Sequence, residues 1–283
     1  MRRALDRMVV VVTALCVVAS CGVLGFLLYA IVSRGLPALS WSFLTEEMRD
    51  GGAAGGIVSN LIGTLILIMT AALVCTPLAI GTALTHGYFL RSPAAKRRLE
   101  LVLYMLNGVP SILFGIVGMI VFVGFLGWGK SWLSGGILLA LIMVPTVAVA
   151  MMERIGALPR SYVEAAVGLG LSDAQVVRAV ILPRSAGALV TGLLLGLARA
   201  AGETAPILFT ATVFAGAGFP TGVQESPVLS LPYHVFVLTQ DSFEPAMAEN
   251  AWGAATVLVF LVIALSAVAL PLRLRIHDQA QHD

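Results

Sequence analysis

The chain has 283 residues, of which 59% are hydrophobic and only 11% are charged, and its mean hydropathy is +0.97. A soluble domain of this length needs a far more charged surface, so the composition excludes a soluble globular protein and predicts one that lies in a lipid bilayer. The formal net charge of +2 is less informative than the distribution of the charges along the chain.

The first apolar run, residues 8–32, predicts a transmembrane helix. It is longer than the apolar core of a signal peptide, and no A-x-A-like cleavage site follows it. We therefore expect an uncleaved helix, with residues 1–56 forming this helix and the first extracytoplasmic loop.

Five further runs are long enough to span a bilayer, which takes about 20 apolar residues. They are residues 57–86, 100–127, 135–152, 187–213 and 251–272. The fold class predicted is thus an all-α polytopic membrane protein with six transmembrane helices, in which residues 57–272 form the main domain and residues 273–283 a cytoplasmic tail. Pro77, Pro110, Pro145 and Pro206 each remove a backbone donor inside a run, so the helices must pack as a bundle.

The basic residues fix the expected orientation. If the N-terminus is cytoplasmic, the predicted cytoplasmic segments hold 13 of the 17 Lys and Arg residues, which agrees with the positive-inside rule. These 13 are Arg2, Arg3, Arg7, Arg91, Lys96, Arg97, Arg98, Arg154, Arg160, Arg178, Arg184, Arg273 and Arg275. Both termini are therefore expected in the cytoplasm.

The two long outer loops, residues 33–56 and 214–250, are acidic and rich in Gly and Pro. Either a solvated surface or a docking face for an extracytoplasmic partner accounts for this composition. The acidic residues are Glu46, Glu47, Asp50, Glu225, Asp241, Glu244 and Glu249.

Three cysteines and four histidines show no pattern of a functional site. The cysteines lie in apolar runs, which favours small buried thiols over disulfides, and the histidines lack metal-ligand spacing. We expect this chain to bind no metal and no cofactor. The residues are Cys16, Cys21, Cys75, His86, His234, His277 and His282.

The cytoplasmic loop at residues 160–185 predicts two short helices joined by a bend. Ser161 with Glu164, and Ser172 with Gln175, have the spacing of capping boxes. Pro183 is expected to end the second helix. Gly168 and Gly170 lie between the helices, where a sharp change of direction favours residues without a Cβ.

The same loop, EAAVGLGLSDAQVVRAVILP, resembles the EAA loop of ABC-importer permeases, written EAA-x3-G-x9-I-x-L-P. Val180 replaces the Ile of that pattern. The resemblance implies the type I permease fold and a coupling loop that docks on an ATP-binding-cassette subunit. The coupling residues it implies are Glu164, Ala165, Ala166, Gly168 and Gly170.

Three further segments, GGIVSNLIGTLILI (55–68), NGVPSILFGIVG (107–118) and ARAAGETAPILFTA (198–211), resemble the PstA-type permeases of phosphate importers. This branch implies a homologous PstC-type permease, a PstB-type ATPase dimer and a PstS-type phosphate-binding protein as partners, and no nucleic acid. The chain contains no G-x-x-x-x-G-K-[ST] motif. We therefore expect a transport subunit that is not an enzyme, with ATP and Mg bound by the partner ATPase.

The candidate substrate site is the pair Arg199 and Glu203, four residues apart on one helical face. Arg199 lies about 12 residues, or about 18 Å, into the predicted fifth span, which is close to the membrane midplane. A central arginine there costs about 2.5–3.5 kcal/mol. Two interpretations explain a charged pair in an apolar span. Arg199 and Glu203 can form a buried structural ion pair, or they can line a pathway in which Arg199 binds a phosphate oxyanion and Glu203 keeps the binding weak.

Three polar residues are expected to complete the pathway. Thr204 follows Glu203 directly, and Asn107 and Ser111 flank Pro110 in the third span. The hydroxyl of Ser111 can line the pathway or bond back to its own helix.

Other functions remain to be weighed against a phosphate permease. A sulfate or molybdate permease is the nearest, because arginine does not distinguish tetrahedral anions. A proton-coupled carrier with Glu203 as the titrating group is disfavoured by the EAA loop. No nucleophile–base pair or metal cluster favours an enzyme.

Overall fold

The structure is a computed structural model. It describes the backbone of residues 2–217, 219–240 and 245–282, and the side chains of residues 8–217, 219–240 and 245–268. The outer-loop residues Asp241 and Glu244 lie outside the described residues. So do the side chains of the basic residues predicted at the two termini, namely Arg2, Arg3, Arg7, Arg273 and Arg275.

The described part of the chain is almost entirely helical. Its helices are α1 (Arg2–Gly35), α2 (Trp41–Thr45), α3 (Val58–Leu84), α4 (Pro93–Gly108), α5 (Ser111–Gly118), α6 (Trp132–Gly156), α7 (Arg160–Gly168), α8 (Asp173–Val176), α9 (Leu182–Ala200), α10 (Ala205–Thr210), α11 (Leu231–Gln240) and α12 (Pro245–His282). Wider π-helical turns extend three of them, at Thr85–Phe89, Met119–Phe125 and Val177–Ile181. Two short strands, β1 (Met48–Arg49) and β2 (Ala54–Gly55), pair antiparallel in the first outer loop.

Five continuous helices in the described part of the chain are long and apolar enough to cross a membrane, and a broken pair makes a sixth candidate crossing, which agrees with the six spans predicted. The straight spans are Met8–Ala38, Val58–Phe89, Trp132–Gly156, Asp173–Ala200 and Pro245–Val268. The sixth combines Pro93–Gly108 with Ser111–Phe125, which meet at 91°. Helix α12 continues past the predicted boundary at residue 272 as far as His282.

The third span departs from its prediction. It begins at Pro93 rather than at residue 100, and it is not one helix: its two halves meet at a right angle. The residue before a proline avoids the helical region, and Val109 is extended with φ −70° and ψ 128°. Pro110 then starts α5 in a new direction, because it has no N–H to donate to α4.

The fifth span is predicted wrongly at both ends. Residues 187–213 were expected to be one helix, but the span runs from Asp173 to Ala200. Pro183 does not end it: Pro183 lies in the first turn of α9, where a missing N–H costs little, and the π turn Val177–Ile181 joins α8 to α9. Pro206 likewise lies in the first turn of α10, so the break between α9 and α10 comes from residues 201–204.

The core of the bundle is formed by α3, α6 and α9. Glycines allow close approach of their backbones, as is common between membrane helices. A Cβ at Gly192 of α9 would lie 3.1 Å from Cα of Val147 on α6, and one at Gly63 of α3 would overlap the carbonyl oxygen of Leu229.

Helix α1 is peripheral. Its side chains from Met8 to Tyr29 are exposed, and it packs on α12 through its outer end, where Thr256 Oγ1 donates to the carbonyl of Ile31 at 3.1 Å. Cys16 and Cys21 are therefore exposed on α1, which corrects the expectation of buried thiols, whereas Cys75 is buried as expected.

The outer cap is built from α2, the β1–β2 hairpin and α11. The side-chain amide of Asn250 donates to the carbonyl of Gly52 at 2.8 Å and so ties the hairpin to α12. His234 of α11 is only 2% exposed, and this burial lowers its pKa to about 4.

Gly63→Ala is expected to lower the free energy of unfolding by about 1–3 kcal/mol, since the added methyl meets a fixed carbonyl. Gly81→Ala, on the same helix but with nothing within 4 Å of its Cβ, is expected to change it by less than about 1 kcal/mol. Thermal unfolding of the detergent-purified protein measures both, and equal losses in the two variants would contradict this account of the packing.

His234 is expected to make the protein less stable as the pH falls. The unfolded chain binds a proton at this histidine below pH 6.5, its ordinary pKa, while the folded protein does so only near pH 4. Stability is therefore lost progressively between these values. The melting temperature of His234→Gln should fall less steeply than that of the wild type over this range, and parallel curves would refute the assignment.

Candidate substrate site and coupling loop

Arg199 lies at the end of a helix and not at its middle. It is the penultimate residue of α9 and of the span Asp173–Ala200, so the predicted position near the midpoint of the fifth span is wrong. Its positive charge is favourable in the last turn of α9, where the helix dipole is negative. The side chain is 41% exposed.

The structure brings three of the predicted pathway residues together. Nη1 of Arg199 donates to Oδ1 of Asn107 at 2.8 Å, which joins the end of α9 to the last turn of α4. Nε of Arg199 lies 3.6 Å from Oε1 of Glu203, whose side chain is 15% exposed. Both helix breaks, after α4 and after α9, therefore meet at this cluster.

Glu203 and Thr204 occupy the turn that precedes α10. The amide of Glu203 donates to the carbonyl of Ala200 at 3.2 Å, and the carbonyl of Thr204 accepts from Leu208 at 3.0 Å. A negative side chain directly before a helix is favourable, as a positive one is at the end of α9. The break between α9 and α10 thus stabilises the opposite charges that flank it.

Ser111 is the first residue of α5, across the break from Asn107. Within the described residues its hydroxyl makes no hydrogen bond, so it does not bond back to its helix, and it makes no recorded contact with Arg199. Helix α5 reaches the site instead through Gly115, where a Cβ would lie 2.6 Å from the carbonyl oxygen of Ala205.

Lys130 was missed by the sequence analysis. Its Nζ donates to the carbonyls of Leu208 and Thr212, each at 3.1 Å, and so holds the C-terminal end of α10. A lysine in an outer loop has no distinctive spacing, which is why the sequence did not reveal this role.

The loop between α6 and α9 was predicted to form two short helices; it forms one separate exposed helix, α7, with a different start, because α8 continues into α9. Helix α7 begins at Arg160 after Pro159 and has no side-chain cap, so the predicted Ser161–Glu164 capping box is not formed. The Ser172–Gln175 box is present: the amide of Ser172 donates to Oε1 of Gln175 at 2.8 Å. Gly170 makes the bend with φ +79°.

The predicted coupling residues divide between two faces of this loop. Glu164, Ala165, Gly168 and Gly170 are exposed, and the neighbouring Leu169 is 82% exposed. Ala166 instead is 6% exposed and belongs to the core of the bundle. Its small size therefore lets α7 lie close to the bundle.

Two arginines hold the loop against the bundle. The guanidinium of Arg184 lies 3.8 Å from the ring centroid of Tyr162 on α7, a cation–π contact. Nε of Arg154, on α6, donates to the carbonyl of Arg184 at 3.1 Å. Movement of α7 is thereby linked to both α6 and α9.

The fold is that of an ABC-importer permease. A solved structure titled as inward facing conformations of the MetNI methionine ABC transporter superposes with a TM-score of 0.57, at 15% sequence identity, over 78% of this chain and 94% of that one. Similarity at this level of identity shows the fold alone.

The chain belongs to the family of binding-protein-dependent transport system inner membrane components, which matches residues 75–276. It is thus a multi-pass inner membrane transport subunit and not an enzyme, and its fold implies association with an ATPase and a binding protein. A phosphate transport system permease protein PstA 2 from Mycobacterium bovis is 33% identical over 84% of this chain and 78% of its own length. A probable phosphate transport system permease protein PstA from Methanocaldococcus jannaschii is 35% identical over 89% and 86%.

Leu169→Asp is expected to reduce the amount of ATPase that purifies with this protein by at least about ten-fold. It places a charge on the exposed apolar surface at the C-terminal end of α7. Val223→Asp is the control. It adds the same charge to an exposed loop at the other end of α6, about 37 Å away, and should leave the ATPase bound. Retention of the ATPase by Leu169→Asp would rule out docking through this surface.

Proposed function

We propose that this chain is a permease subunit of an ATP-driven phosphate importer that forms half of the translocation pathway. The observation that carries the proposal is its identity of 33% and 35% to relatives named as phosphate transport permeases, over most of each chain. A PstC-type permease is proposed as the other half of the pathway, with a PstB-type ATPase dimer below and a PstS-type phosphate-binding protein above. Both termini are placed in the cytoplasm by the distribution of basic residues.

Arg199 is proposed to bind the transported anion. A guanidinium has five N–H donors in a planar fork that matches phosphate, and only one of them is used in the hydrogen bond to Asn107. Asn107 therefore orients Arg199 while leaving donors for the anion. Thr204 and Ser111, whose hydroxyls have no hydrogen-bond partner among the described residues, are proposed as further lining.

Glu203 is proposed to keep the affinity of the site for phosphate low. Its carboxylate lies 3.6 Å from Nε of Arg199, so it offsets part of the positive charge that an arriving phosphate meets. A pathway must release its cargo as well as accept it. Selection of phosphate over sulfate or molybdate then belongs mainly to the binding protein.

Transport requires that the ATPase move Arg199. ATP and Mg are expected to bind in that partner, and the exposed face of α7 is proposed to dock on it. Helices α8 and α9 with the π turn between them form a single span from Asp173 to Ala200, so a displacement of the coupling loop can reach Arg199, about 39 Å away, along one continuous span.

Arg199→Ala is expected to lower ATP-dependent phosphate uptake by at least about ten-fold, through loss of a charge-assisted contact. Uptake of labelled phosphate is measured in cells that lack the gene and carry wild type or variant. Tyr104→Phe is the control, because Tyr104 is exposed on α4 one turn before Asn107. Equal assembly of all variants is checked by purification of the complex.

Competition with unlabelled sulfate and molybdate decides the substrate. Uptake of labelled phosphate is expected to be unaffected by either competitor. If the gene restores uptake of sulfate or molybdate but not of phosphate, the proposed substrate is wrong. If Arg199→Ala transports phosphate normally, the Arg199–Glu203 pair is structural.

A further inference from the structure

The inner end of the second span is a π-helical turn, Thr85–Phe89, that contacts three other elements. Nε2 of His86 lies 2.7 Å from Oε1 of Glu100 on α4. The hydroxyl of Tyr88 donates to Oδ1 of Asp173, the first residue of α8, at 2.7 Å. Gly87 lies against Ile155 of α6, and a Cβ there would overlap that side chain.

Within the described residues, only three hydrogen bonds join side chains of different elements that are distant in sequence. They are His86–Glu100, Tyr88–Asp173 and Arg199–Asn107. Together they form a circuit. Tyr88 contacts the coupling loop, His86 contacts α4, and α4 carries Asn107 seven residues after Glu100, which is about 10 Å along the helix.

The coupling loop is consequently joined to Arg199 in two ways. One is direct, along α8 and α9. The other passes through the turn Thr85–Phe89 to α4 and from Glu100 to Asn107. We propose that this turn transmits displacement of the coupling loop to α4, so that Asn107 and Arg199 move together when the ATPase acts. Tyr88 and His86 are then positioning residues, and the inference rests on the proposed function.

Two features fit the turn for this role. A π turn is a single irregular turn that occurs often at functional sites, and Gly87 leaves no room for it to slide past Ile155. A pocket of about 330 Å³, lined by Gly87, Tyr88, Ile155 and Glu164 among others, separates the turn from the start of α7. This space lets α7 approach the turn without displacing packed side chains.

The test uses the complete importer in liposomes, with its ATPase, companion permease and binding protein. ATP hydrolysis and uptake of labelled phosphate are measured together for Tyr88→Phe and Glu100→Gln. Tyr88→Phe removes one hydrogen bond, whereas Glu100→Gln removes the negative charge that strengthens the other, and each keeps the shape of the side chain. The phosphate moved per ATP hydrolysed is expected to fall by about five-fold, the effect of one lost hydrogen bond on an equilibrium, while the basal hydrolysis measured without the binding protein continues.

Two matched controls separate coupling from a general loss of structure. Tyr104→Phe alters an exposed tyrosine on α4, and Glu153→Gln alters a carboxylate beside His86 and Glu100 that has no hydrogen bond of its own among the described residues. Both should keep the wild-type ratio. If the ratio is unchanged in Tyr88→Phe and Glu100→Gln, or falls as far in the controls, the proposal is overturned.

Double variants test whether the contacts act as a pair. Tyr88→Phe combined with Asp173→Ala, which removes the acceptor, should lower the ratio no further than either change alone, whereas independent, multiplying effects would refute the pairing. If Glu100→Gln does not assemble, Tyr88→Phe, which removes a single oxygen, gives the decision.

The two proposals can fail separately. A wild-type importer that moves no phosphate refutes the proposed function. The stimulation of ATP hydrolysis by the binding protein is then compared in the same variants, and this readout needs no knowledge of the cargo. Reduced stimulation in Tyr88→Phe but not in Tyr104→Phe supports transmission through the turn, and equal stimulation overturns it.

Discussion

A backbone polar group without a partner costs several kcal/mol in hydrocarbon, and this constraint decides where the chain can leave helical geometry. The breaks after α4 and after α9 are both compensated locally. Glu203 and Gly202 donate their amides back to the end of α9, and Pro110 has no amide to satisfy. The hydrogen bond between Arg199 and Asn107 joins the two breaks, and the polar side chains of the candidate substrate site lie where they meet.

Much of the architecture could be predicted from hydropathy and spacing. The six crossings and the exposed helix between the fourth and fifth of them followed from run lengths and the EAA pattern. The boundaries of the helices were harder to predict, because the effect of a proline on a helix depends on its position in that helix. Pro77 and Pro145 lie inside α3 and α6, whereas Pro110, Pro183 and Pro206 lie at the start of a helix, and sequence periodicity does not distinguish these cases.

The residues of the candidate substrate site could be named from the sequence, but their geometry could not. Arg199, Glu203 and Asn107 stood out as polar residues in apolar runs, yet the contact between Arg199 and Asn107 joins residues 92 positions apart. Hydropathy carries no information on such pairs. The roles of His86 and Tyr88 depend on a π turn, which shifts the helical phase by one residue and leaves no mark in composition.

Helix α1 has a different relation to the bilayer from the rest of the bundle. The stretch whose side chains are exposed, Met8 to Tyr29, is about 33 Å long, which matches the thickness of the hydrocarbon layer of a bilayer. Among the described side chains, α1 packs on α12 near Ile31 and Gly35, and tilting of its exposed stretch about that outer attachment would follow a change in membrane thickness. Hydrophobic mismatch can thus be met by tilting of a peripheral helix, which leaves the packing of α3, α6 and α9 in place.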